Sequence, residues 1–223
     1  MAMTDDGGTP EHPRLRDYVR WHDDYDDPNS ALSARLRQVQ RTIADWYDRT
    51  PGPVRVMSSC AGQGRDLLGV LEQRPGDRAR TSGVLIEVDG TNAGLARRRI
   101  ADMGADLEVV EADAGITDSY LGAVPADLVL LIGIMGNIDA ADTERLVHVS
   151  RQFCTPGATV VWTRGAQKPD LGPDIRRWFV EAGFEETFYD EGIEGTSMRV
   201  GVARLVVEPD ELRPGLPIFT FYR

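Results

Sequence analysis

The chain has 223 residues, 41% hydrophobic and 27% charged, a balance that suits one globular domain whose core needs no metal or disulfide staple. Acidic residues outnumber basic ones 36 to 25, and a net charge of −11 disfavours nucleic acid and anionic membrane surfaces as partners. Cys60 and Cys154 lie far apart, as do His12, His22 and His148, so neither a disulfide framework nor metal-ligand spacing is present. The opening residues are polar and acidic, unlike a secretory signal. The longest apolar run, Leu128 to Met135, is far short of the roughly 20 residues that cross a bilayer. These features lead us to expect a cytoplasmic protein; whether it forms a homodimer is left open.

Residues 1–13 carry Gly-Gly, Thr-Pro and His-Pro and read as a flexible tail. Residues 14–50 read as an amino-terminal helical cap, and 51–223 as the main domain. Within 14–28, Tyr18, Trp21, His22 and Tyr25 stand among acids. They suit either a short helix packed on the body or a lid over a ligand. Leu32, Leu36, Val39, Ile43 and Trp46 then recur at helical spacing, with Asn29 or Ser30 as cap and Thr50-Pro51-Gly52-Pro53 as stop. From there strands and helices alternate. Strands are predicted at Val54–Ser58, Gly83–Val88, Leu107–Glu111, Leu128–Gly133 and Thr159–Thr163. Helices are predicted at Asp66–Gln73, Asn92–Met103, Asp139–Phe153, with Pro156-Gly157 as its stop, and Gly172–Ala182. That alternation predicts an α/β fold around a parallel sheet with right-handed crossovers. Glu186–Tyr189, Met198–Val207 and Ile218–Tyr222 read as strands with no helix between them, so the sheet should end in an antiparallel hairpin.

The most informative stretch is the small-residue loop Cys60-Ala61-Gly62-Gln63-Gly64 between the first strand and a helix. Such a loop lets backbone approach a ligand closely and aims amides at it from a helix N-terminus. It also occurs simply as a tight turn. The acids that follow it narrow the reading. Glu87, in Glu87-Val88-Asp89 at the tip of the second strand, lies 25 positions after Gly62, near the roughly 20-residue interval of a ribose-binding acid. Asp113, after the third strand, can accept from an adenine amino group while the adjacent Ala114 amide donates to a ring nitrogen. A dinucleotide fingerprint would need glycine where Leu67 stands, and no Gly-Lys-Ser/Thr follows the loop, which rules out a P-loop.

This order of elements resembles the class I S-adenosylmethionine-dependent methyltransferases. The match runs through Val56–Arg65, Glu87, Asp113, Asp127–Asn137 and Ala182-Gly183-Phe184, and covers roughly 50–207. It is nearest to uncharacterised actinobacterial-type members with a Cys-Ala-Gly-x-Gly-Arg-Asp loop. The resemblance implies a Rossmann-like, seven-stranded, mostly parallel sheet. It implies S-adenosylmethionine as cofactor, with S-adenosylhomocysteine as product. The cofactor would be held by Cys60 to Gly64, Glu87, Val88, Asp89, Asp113 and Ala114, and at its methionine end by Gly133. Two positions depart from the family pattern. Ser58 replaces the usual acid ending the first strand, and Cys60 the first loop glycine. A carbonyl near Gly133, or Asp26, would then have to orient the methionine amino group.

Methyl transfer from a sulfonium is an in-line displacement that depends mainly on alignment and water exclusion. A general base is needed only when the nucleophile must lose a proton. Candidate bases are His22 and Tyr25, and Asn137 can polarise an oxygen of a small-molecule acceptor. Trp162 and Arg164 flank the ligand side of the fifth strand. Arg35 reads as a solvated helix charge, with the cofactor carboxylate as the alternative. His148, Trp178 and Phe179 read as structural. Two rival functions share the cofactor: a non-catalytic S-adenosylmethionine or S-adenosylhomocysteine-binding module, and an aminopropyl or aminocarboxypropyl transferase.

Overall fold

The computed structural model describes residue 25 and residues 27–222. The expectations for residues 1–24 and Asp26, including Tyr18, Trp21 and His22, lie outside the described residues.

Helix α1 (Ala31–Arg49) starts where Ser30 Oγ accepts the Ser33 N–H at 3.0 Å. Its buried face carries Leu32, Val39, Ile43 and Trp46, as the periodicity predicts. Arg35 belongs to that face too, only 4% exposed, while Leu36 is half-buried. The expectation of a solvated Arg35 is therefore corrected. Its guanidinium is buried and donates to the Tyr25 hydroxyl. Helix α1 lies along α2 (Arg65–Gln73). The two meet at Gly69, where any Cβ would overlap the Gln40 amide, which donates to Arg65 O at 3.0 Å. That close approach explains a glycine with no place in a dinucleotide fingerprint.

The sheet has seven strands: β1 (Val54–Ser59), β2 (Thr81–Glu87), β3 (Asp106–Glu111), β4 (Ala126–Leu131), β5 (Cys154–Gly165), β6 (Phe184–Asp190) and β7 (Met198–Leu205). Their order is β3-β2-β1-β4-β5-β7-β6. Only β7 runs antiparallel, inserted between β5 and β6. The predicted terminal hairpin is therefore present. The order turns at β1, which pairs with both β2 and β4. In a doubly wound sheet, ligands bind beyond the carboxyl ends of the strands at such a switch point.

Short α3 (Pro75–Arg78), α4 (Gly90–Met103), α5 (Ala140–Val149) and α6 (Gly172–Glu181) complete the helices. Alternate strand residues feed two cores. Val56, Leu128, Leu130 and Val161 share one with α1, α2 and α4. Met57, Val129, Leu131, Val160 and Trp162 share the other with α5 and α6. Buried Trp178 and Phe179 belong to the second core, and Trp162 stacks on Phe179 with centroids 5.9 Å apart. Trp162 is therefore a core residue and not a ligand-side wall.

Three boundaries differ from the prediction. The helix over Asp139–Phe153 stops at Val149, and Ser150–Phe153 tightens into a 3₁₀ turn. Strand β5 then starts at Cys154, so Pro156-Gly157 lie inside a strand instead of ending a helix. They fall in a bulge between the pairs Ala126↔Cys154 and Leu128↔Thr159, where proline's missing N–H breaks no ladder bond. Residues Ile218–Tyr222 form no strand; a single bridge joins Ile116 to Pro217.

Candidate active site

The carboxyl ends of β1 to β4 carry the loops singled out in the sequence. The loop after β1 turns through left-handed residues: Cys60 at φ 51°, Gly62 at 56° and Gly64 at 68°. A side chain in that region costs roughly 1–2 kcal/mol, so Cys60 holds strain where the resemblance expects glycine. Burial, reinforced by the Glu87 charge, pushes the Cys60 thiol far above its ordinary range. It stays protonated and is no nucleophile.

Glu87 organises the crevice. It is only 8% exposed, with carboxylate Oε2 accepting the Gly62 N–H at 2.6 Å and Oε1 the Asp89 N–H at 2.9 Å. Burial raises its pKa against the pull of those donors. Each oxygen keeps further acceptor capacity. Asp89 caps α4 by accepting the Asn92 N–H at 2.8 Å. Gln63 donates to Asn92 Oδ1 at 3.3 Å and accepts from Arg65 Nε at 3.1 Å. Asp89 and Gln63 therefore brace the helix starts. Val88, an apolar residue 64% exposed, stands at the strand tip between the two acids.

Asp113 is exposed beyond β3, and its Oδ1 accepts the Gly115 N–H at 2.8 Å. Beside it the Ala114 carbonyl accepts from Tyr120 OH at 3.0 Å, and that hydroxyl also meets Ser59 Oγ at 2.8 Å. The Ala114 N–H has no partner among the described residues.

The loop after β4 is fixed at every carbonyl from Gly133 to Asn137. Asn137 Nδ2 donates to Gly133 O at 2.8 Å, and the Asn137 N–H to Ile134 O at 2.8 Å. Arg164, 3% exposed, donates to Met135 O. Gln167 Nε2 donates to Gly136 O at 2.7 Å, and the Tyr222 N–H to Asn137 O at 3.2 Å. Thr163 Oγ1 accepts the Gly133 N–H at 2.9 Å. Asn137 is thus first a staple of its own loop, with one amide hydrogen left for an acceptor. The Gly133 carbonyl, expected to orient a methionine amino group, already takes an amide hydrogen. Sequence reasoning missed Thr163, Gln167 and Tyr222; only the polar Thr163-Arg164 pair ending an apolar strand hinted at the first.

Arg35 reaches the same end of β4. A Cβ on Gly133 would lie 3.5 Å from Arg35 Nη1, and Arg35 Nη2 donates to Tyr25 OH. The Arg65 guanidinium lies 5.3 Å from the Tyr25 ring centroid. Burial raises the Tyr25 pKa despite these cations. At neutral pH the phenol is protonated, which suits a donor or a wall better than a base. Asp66 is half-buried as a residue, but its Oδ1 is sealed and has no partner among the described residues. Burial raises its pKa and the Arg35 charge only partly offsets this. A raised carboxyl stabilises the fold below its unfolded value and loses that contribution as pH rises through its folded value. Asp66→Asn is therefore expected to melt above the parent protein at pH 7, with the difference closing as pH falls toward about 4. Melting curves across that range check the sign.

His148 is on α5, with its ring nitrogen and carboxylate oxygens of Glu144 and Glu181 within 4.8 Å of one another. All three are exposed and lie outside the crevice. A separate groove of about 760 Å³, lined by Trp46, Pro51, Asp127, Pro156 and Phe188, opens at the amino ends of the strands, away from these loops. Among the described residues no helix is long and apolar enough to cross a membrane.

No family model matches the sequence, and no curated protein is significantly similar to it. Solved structures do match. Magnesium protoporphyrin IX methyltransferase from Synechocystis PCC 6803, with S-adenosylmethionine bound, is 13% identical, with 84% of this chain and 90% of that chain covered at a TM-score of 0.64. The 1,6-didemethyltoxoflavin-N1-methyltransferase of Burkholderia thailandensis, holding its acceptor and S-adenosylhomocysteine, is 15% identical, with 86% of each chain covered and a TM-score of 0.64. A TehB-like S-adenosylmethionine-dependent methyltransferase from Corynebacterium glutamicum is 16% identical, with 83% and 94% covered at 0.58. The chain has the fold of the class I S-adenosylmethionine-dependent methyltransferases, with the strand order of its sheet as given above.

Proposed function

We propose that the protein is an S-adenosylmethionine-dependent methyltransferase acting on a small molecule. The observation that carries this reading is the buried Glu87 carboxylate locked to the Gly62 amide, which joins the strand-two acid and the glycine loop into one adenosine cradle. In that cradle Glu87 accepts from both ribose hydroxyls. Val88 offers its exposed side chain to the face of the adenine. Asp113 accepts from the amino group, and the unpartnered Ala114 N–H donates to a ring nitrogen. Arg35 stands toward Gly133 as the cation for the methionine carboxylate. When bound, S-adenosylmethionine supplies a methyl carbon activated by a positive sulfur. The chain then has to align an acceptor behind that carbon, and the loop from Gly133 to Asn137, bonded at each of its carbonyls, suits such alignment. Asn137 keeps one N–H to orient the acceptor; Tyr25, bonded to Arg35, is proposed as a wall of the mouth.

S-adenosylhomocysteine at about 100 times its Kd should add roughly 2.7 kcal/mol of stability, a rise of roughly 5–10 °C in Tm for this size of domain. A shift with nicotinamide dinucleotides and none with S-adenosylhomocysteine would overturn the assignment. Ser58, where the family pattern has an acid, and the strained Cys60 favour one other reading, a module that binds this cofactor without turning it over. Methyl transfer to a panel of phenols, amines and carboxylic acids separates the two.

A further inference from the structure

The chain does not end with β7. Leu205 closes that strand, and residues 206–222 climb the α5 side of the sheet back to the candidate site. Arg151 ties the lower part by donating to Glu208 O at 3.2 Å and Asp210 Oδ1 at 3.0 Å. The Arg213 N–H donates to Gln152 at 2.8 Å. Higher up, the Leu216 N–H donates to Thr117 Oγ1 at 2.9 Å and the Ile218 N–H to Gly115 O at 2.7 Å. Arg145 and Asp142 of α5 bond Ile218 O at 3.1 Å and the Thr220 N–H at 2.8 Å. Finally the Tyr222 N–H bonds Asn137 O at 3.2 Å.

The need for this strap lies in the crossover from β3 to β4. It holds only a four-residue 3₁₀ turn, Thr117–Tyr120, where a helix would otherwise cover the sheet. Buried Ile218 and Phe219 join Tyr120 and Phe153 in the core there, so the strap fills the missing layer. Its route has a second consequence. At Gly115 it lies two residues from Asp113, so close that a Cβ on Gly115 would overlap Phe219 O. At Asn137 its backbone meets the acceptor loop through the Tyr222 N–H, and Tyr222 is exposed. One continuous segment touches both ends of the candidate site.

We propose that the carboxyl-terminal strap is a positioning element that couples the adenine corner at Asp113 to the acceptor loop at Asn137. This rests on the cofactor reading above. Ordering Asp113 around an adenine tightens Gly115 against the strap, which then holds the Asn137 carbonyl through Tyr222. Occupancy at one end is thereby felt at the other as a shift between looser and tighter strap states.

Amide hydrogen exchange with S-adenosylhomocysteine as the probe tests this. In the parent protein, saturating probe should slow exchange at Ile218 and Tyr222 several-fold and leave Arg213, lower on the strap, unchanged. A purely structural strap would show no such gradient. Gly115→Ala places a methyl group in overlap with Phe219 O and 3.0 Å from Asp113 Oδ1 at a residue without positive φ, so it displaces both the strap and the Asp113 carboxylate without left-handed strain. It should weaken probe binding about tenfold and abolish the effect at Tyr222. A chain ending at Thr220 keeps Ile218 and Phe219 in the core; it should fold and bind the probe, and its Asn137 loop amides should no longer slow on binding. Probe binding with Tyr222 exchange unaltered in the parent protein overturns the coupling alone. No probe binding to the parent protein overturns the cofactor reading and the coupling together.

Discussion

Glu87→Ala is expected to weaken S-adenosylhomocysteine binding about a hundredfold or more. The carboxylate would accept from two ribose hydroxyls, and a hydrogen bond to a charged group contributes roughly 1.5–3 kcal/mol. Every 1.4 kcal/mol is a factor of about ten in Kd. The same substitution releases the Gly62 and Asp89 N–H groups, so the loop loses its anchor as well. Glu87→Gln removes that ambiguity only in part. Whichever way the amide is turned, its NH₂ group faces one of those two backbone donors. The glutamine variant should therefore lose nearly as much affinity. Asp113→Ala removes an exposed carboxylate that anchors only the Gly115 amide, and about tenfold is expected. Titration calorimetry with the three folded variants gives the order. Parent-like affinity in Glu87→Ala would remove Glu87 from the site.

The features legible in the sequence are those where local chain and site coincide. The loop Cys60–Gly64 follows β1, Glu87 ends β2 and Asp113 lies just past β3, so finding the strands finds the crevice. The residues that escaped reach the site through tertiary packing. Arg35 sits in a row of apolar positions on α1, and nothing in a single helix tells a buried arginine from a solvated one. Its partner Tyr25 comes from another segment. The strap escaped for a similar reason. Ile218, Phe219 and Phe221 have a strand's composition, but the surface they cover is not a sheet edge. It is the gap left by a crossover that lacks a helix, which only the folded arrangement reveals. Pro156-Gly157 misled for a local reason, since a bulge in β5 tolerates what a regular ladder would not.

The largest stability effect is expected at Arg164. Its guanidinium donates to Met135 O and, at 3.2 Å, to Pro169 O, so it joins the loop after β4 to the loop after β5. Both bonds are buried or partly buried, and a carbonyl deprived of its donor there costs about 1–3 kcal/mol. With the loss of the buried stem, Arg164→Ala should destabilise the protein by roughly 3–5 kcal/mol. At roughly 2–4 °C per kcal/mol, Tm should fall by roughly 6–20 °C. Arg164→Lys keeps the charge and much of the stem, but one ammonium lacks the planar fork that serves two carbonyls. It should fall between the parent and alanine proteins. S-adenosylhomocysteine affinity separates this effect from Glu87. Arg164 bonds backbone carbonyls of the loops after β4 and β5, so Arg164→Lys should change Tm more than Kd, whereas Glu87→Gln should change Kd more than Tm. An alanine variant melting with the parent protein would mean that Gln167, Thr163 and the strap hold the acceptor loop without it.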